Sequence, residues 1–66
     1  MKQRDKLREL FKRFGDNEAA LIREYAAAER RGEVTRVSND YDVDEEEYAR
    51  RLLNDARKKG WVAGLR

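Results

Sequence analysis

Cysteine, histidine and proline are all absent from this 66-residue chain. Without cysteine there is neither a disulfide framework nor a thiolate metal site. Without histidine the chain lacks the commonest general base near neutral pH, the usual partner of an activated nucleophile and the commonest zinc ligand. The remaining candidates for chemistry are carboxylates, lysines, Thr35, Ser38 and tyrosines. No spacing among them assembles a nucleophile, a base and an orienting group, and no glycine-rich loop cradles phosphates. An enzyme is not expected, and no cofactor is implied. Long apolar runs are missing too, so no segment is expected to span a bilayer. Lys2, Arg4, Lys6 and Arg8 open the chain but no apolar run follows them. That argues against a signal peptide and makes a cytoplasmic location the expectation.

What is present is charge. Charged residues make up 45% and hydrophobic residues 39%, so one small domain over residues 1–66 must draw its core from few side chains. The candidates are Leu7, Leu10, Phe11, Phe14, Leu21, Ile22, Tyr25, Val34, Val37, Tyr48, Leu52, Leu53, Trp61 and Val62. A core this thin makes self-association a further expectation. The net charge is +2, but its distribution is uneven. Residues 1–14 carry six basic against two acidic side chains, and residues 48–66 carry six against one. Residues 34–47 carry one basic against six acidic. The chain is basic at both ends and acidic in the middle.

The periodicity predicts three helices, at about 2–14, 17–31 and 44–59. In the first, Leu7, Leu10, Phe11 and Phe14 form the apolar stripe of an amphipathic helix, and Gly15 ends it. Asp16 or Asn17 caps the second, whose stripe is Leu21, Ile22, Tyr25 and Ala28 and whose stop is Gly32. The third has the fullest signals. Asp44 and Glu47 have capping-box spacing, and Val43 and Tyr48 have that of a hydrophobic staple. Gly60 supplies a left-handed stop with Trp61 placed to fold back over the last turn. Its first turn is acidic and its last turn basic, which matches the helix dipole. Between Glu33 and Val43 the helical period is lost. Ser38, Asn39 and Asp40 are turn residues, and the β-branched run at 34–37 is a candidate strand that pairs with 61–63 as a minimal β ribbon.

Leu52 and Leu53, followed by Ala56, Arg57, Lys58, Lys59, Gly60, Trp61 and Val62, resemble a winged-helix recognition helix leaving through a glycine into the first wing strand. Gly32, Glu33, Val34 and Thr35 resemble that family's lead-in to its second helix, and Tyr41, Asp42 and Val43 its turn. The resemblance covers about residues 17–62 and implies a helix-turn-helix arrangement and DNA binding. The chain departs from the pattern where such a helix reads bases, at its N-terminal end. That end is here Asp44, Glu45, Glu46 and Glu47, carboxylates that a phosphate-lined groove repels.

The expected fold is therefore all-α, a small three-helix domain with helix-turn-helix or winged-helix-like features. The leading functional expectation is a non-catalytic binding module, a DNA-associated or regulatory protein that contacts the phosphates of duplex DNA. The cations assigned to it are Lys2, Arg4, Lys6, Arg8, Lys12 and Arg13 on the first helix, with Arg57, Lys58, Lys59 and Arg66 from the C-terminal part. The alternative is a protein–protein interaction module, a homodimer or an inhibitor, docking a basic partner through Asp40, Asp42, Glu45, Glu46 and Glu47. Asp40, Asp42 and Asp44 also alternate as calcium ligands do in an EF-hand loop. The sixth loop position is then Glu45 where glycine is needed, and the twelfth Arg51 where glutamate is needed. No metal site is assigned.

Overall fold

Three helices follow one another in the computed structural model, which describes residues 1–37 and 42–65. They are α1 (Gln3–Phe14), α2 (Glu18–Arg30) and α3 (Glu45–Lys59), each within a residue or so of its expected bounds. The domain is all-α. The expected turn residues Ser38, Asn39, Asp40 and Tyr41 and the C-terminal cation Arg66 lie outside the described residues.

Local chemistry explains the helix ends. Asn17 is the cap of α2, its Oδ1 accepting from the Ala20 N–H at 3.2 Å. Asp44 caps α3 by accepting from the Glu47 N–H at 2.8 Å. The Glu47 carboxylate is taken up by Arg50 and by Arg51, the latter at 2.8 Å. Half of the expected capping box is thus an ion-pair cluster, because two guanidiniums outcompete a single amide. α2 and α3 end alike. Beyond α2, the Gly32 N–H reaches Glu29 O at 3.1 Å and the Glu33 N–H reaches Ala28 O at 3.0 Å. Beyond α3, the Gly60 N–H reaches Arg57 O at 3.3 Å and the Trp61 N–H reaches Ala56 O at 2.9 Å. These are paired Schellman bonds, and they require the left-handed backbone that Gly60 adopts at φ 78°.

α2 packs against both neighbours. Leu7, Leu10 and Phe11 of α1, Leu21 and Tyr25 of α2, and Tyr48, Leu52 and Leu53 of α3 bury together, with Val34 and Val62 closing the ends. Phe14, Ile22 and Trp61 pack at the edge of this core. Two expectations are corrected. Val37 is 81% exposed and contributes nothing to the core. Residues 34–37 and 61–63 form no strand, and no strand occurs among the described residues. After Gly60 the backbone keeps turning, with the Ala63 N–H on Gly60 O and the Leu65 N–H on Val62 O. Val34 and Val62 enter the core as single anchors, so the β-branched residues satisfy packing and not a ladder. Alanines complete the interior: Ala28, Ala49 and Ala56 are fully covered.

Two substitutions probe this fold. Gly60→Ala meets no atom within 4 Å, so its cost is backbone strain alone, about 1–2 kcal/mol. Leu53→Ala, at a fully buried position, is expected to cost about 2–5 kcal/mol. Urea denaturation followed by circular dichroism measures both, and Leu53→Ala should be the more severe.

Candidate nucleic-acid interface

The basic face of α1 is narrower than its helical wheel implies. Lys6 is buried, with its Nζ 3.3 Å from Glu9 Oε1 and 3.2 Å from Glu33 Oε1. Its ammonium ties α1 to the turn after α2, which corrects the expectation that it projects with the other cations. Arg8 is half-buried and donates from Nη1 to the Trp61 carbonyl at 2.6 Å. It thereby fastens α1 to the chain just beyond α3. Lys2, Arg4, Lys12 and Arg13 remain exposed. Arg4 lies 3.9 Å from Asp5, and the Arg13 guanidinium sits 5.4 Å from the Phe14 ring centroid.

The C-terminal cations divide in the same way. Arg57 pairs with Glu18 across the α2–α3 packing, at 3.3 Å. Lys58 is exposed. Lys59 places its ammonium 5.0 Å from the Trp61 ring centroid. The Arg8 link brings the two basic groups together. Lys2, Arg4 and Lys59 line a single cleft of about 1000 Å³ with Met1, Val37 and Trp61, over a floor that includes Tyr48 and Leu52. Among the described residues, Asp55 is the one carboxylate in its wall.

The acidic segment is largely compensated by its own surroundings. Arg30 approaches Glu45 at 3.4 Å and Glu46 at 4.0 Å. Arg50 and Arg51 hold Glu47, and their hydrogen bonds lower its carboxyl to about 2. Asp44 is committed to its cap. Asp42 is exposed, and Asp40 lies outside the described residues. An open hollow of about 460 Å³ adjoins this segment, between α2 and the start of α3.

A buried polar cluster, not foreseen from sequence, braces the cleft from inside. Arg36 Nε lies 2.5 Å from Glu29 Oε2, its Nη2 donates to Val43 O at 2.7 Å, and its guanidinium stacks 4.4 Å from the Tyr48 ring centroid. One side chain thus clasps the end of α2 to the start of α3. The Tyr48 hydroxyl donates to Gln3 Oε1, which accounts for the burial of Gln3. The Tyr25 hydroxyl and Glu29 Oε1 are buried without a hydrogen-bond partner among the described residues. The only sequence signal for the clasp was a lone basic residue in an acidic stretch.

No family model matches the chain, and comparison with curated proteins and with solved structures gives no match either. No described helix is long and apolar enough to cross a membrane.

The cluster sets an alkaline limit. Burial, reinforced by Tyr48 and Glu29, raises Tyr25 well above the ordinary phenol value. Burial also raises Tyr48. The fold therefore favours neutral phenols, so stability is complete below about pH 10 and declines as pH rises past it, because the unfolded chain ionises first. Tyr25→Phe removes one such group together with its unpaired hydroxyl. It is expected to hold or raise stability at neutral pH and to flatten the alkaline decline. Thermal unfolding between about pH 8 and pH 12 reads the effect.

Proposed function

We propose that this domain is a non-catalytic nucleic-acid-binding module whose contact face joins the N-terminal part of α1 to the C-terminal end of α3. The observation that carries the reading is the convergence of Lys2, Arg4 and Lys59 on one cleft, with exposed Lys12, Arg13 and Lys58 on the same two helices. Cations gathered from two helices neutralise several phosphates at once and release the counterions condensed on them. The likeness of residues 17–62 to winged-helix domains is in keeping with this class, with the contact moved away from the acidic start of α3. Phosphate contacts of this kind position a nucleic acid without selecting a sequence. The alternative, capture of a basic protein by the acidic segment, is disfavoured because Arg30, Arg50 and Arg51 already engage Glu45, Glu46 and Glu47.

The test compares the protein with a variant in which Lys2, Arg4, Lys12 and Lys59 are all glutamine. Fluorescence anisotropy with a labelled nucleic acid should show affinity falling by orders of magnitude between about 50 and 200 mM salt. The variant should lose at least about tenfold at the lower salt, with an unchanged circular dichroism spectrum. Lys6→Gln serves as the contrast. It should lower the unfolding midpoint and leave binding intact, since Lys6 braces α1 and does not face outward.

A further inference from the structure

The cleft is lined by apolar as well as cationic side chains, and duplex DNA has no use for the apolar ones. Val37 and Met1 are the large hydrophobic side chains left exposed among the described residues, at 81% and 64%. Both line this one cleft. Trp61 is half-buried and forms another part of the wall, with the Lys59 ammonium near its ring. Exposed apolar side chains gathered in one place mark a site that expects apolar contact. In a duplex the base faces are stacked on each other and unavailable, and what the surface offers is phosphate, sugar and base edges. A single strand offers phosphates and unstacked base faces together. Proteins that hold it combine a basic groove with aromatic and apolar surfaces against which bases stack.

We infer that the cleft bounded by Lys2, Arg4, Val37, Lys59 and Trp61 takes single-stranded nucleic acid, with one or two bases lodged against Val37 and Trp61 and the flanking phosphates on the three cations. The inference rests on the nucleic-acid reading above and specifies its ligand. Among the described residues, the cleft sets three cations against Asp55, a balance that suits a polyanion. Its volume of about 1000 Å³ exceeds the space of a single base, so one or two nucleotides fit without rearrangement of the helices. Nothing in the contact requires a particular base, because every base has a face to stack.

The experiment uses the full chain and three labelled probes at about 50 mM salt: a dT oligomer of about twelve nucleotides, a mixed-sequence duplex of about the same length, and a synthetic amphipathic peptide rich in glutamate and leucine. The chain has one tryptophan, so its fluorescence reports on the cleft without any substitution. Support would be single-strand binding at least about tenfold tighter than duplex binding, with quenching of Trp61 on addition of unlabelled dT oligomer. Val37→Ser, at a position too exposed to affect folding, should then weaken the single strand several-fold and leave the duplex unchanged. Duplex binding as tight as single-strand binding, with Trp61 unperturbed and Val37→Ser silent, overturns this inference while leaving the proposed function standing. Binding of the acidic peptide alone, or of none of the probes, overturns both.

Discussion

Close approach of the helices is the constraint on which this fold depends. With so few large apolar side chains, a three-helix unit encloses a core only if its backbones come near one another. The fully buried alanines Ala28, Ala49 and Ala56 permit that on the facing sides of α2 and α3. Each presents only a methyl group, so a neighbouring element must lie against it to cover it. Larger residues there would push the helices apart and leave Leu21, Tyr25 and Leu53 without their full complement of contacts. Small residues interleaved with large ones, as in Ala49, Leu52, Leu53 and Ala56 of α3, give interior density from a short chain.

Close packing also dictates where the polar groups go. Helices held this near leave no room for an unpaired charge, so the charges that are covered are bound. Lys6 sits between two carboxylates, and Arg36 is shared among Glu29, Val43 and Tyr48. Arg8 finds a carbonyl at the far end of the chain. Lys6 and Arg8 reach partners 27 and 53 residues away, and Arg36 joins the end of α2 to the start of α3. Lys2, Arg4, Lys12, Lys58 and Lys59 stay exposed, and Lys2, Arg4 and Lys59 line a common cleft. Covered and exposed cations are thus divided by geometry and not by residue type.

The division explains how much was legible in advance. The helices were, because Gly15, Asn17, Gly32, Asp44 and Gly60 are local signals that act through the backbone within a turn. The large core residues were too, since their period is set by one helix alone. The fate of Lys6 was not. A helical wheel gives the direction of a side chain but not which neighbour lies that way, and here Glu33 comes from another element. Val37 misled for a related reason. A valine in a β-branched run looks like a strand residue, but its neighbours turn away to let Val34 enter the core and Arg36 reach Glu29. The candidate site was legible as two groups of basic residues. That they share a cleft depends on the Arg8–Trp61 contact, which no spacing encodes.

Small helical domains ordinarily fold fast because their contacts are local. α1 packs on its neighbour α2 but is also held by contacts far apart in sequence. Met1 bonds to Glu33, Gln3 to Tyr48 and Arg8 to Trp61, spanning 32, 45 and 53 residues. Closing loops of that size costs entropy that grows only slowly with length, but the cost falls on α1 before any of these contacts forms. The cleft it shares with α3 exists only where these long-range contacts are made, so no single segment of the chain carries it by itself.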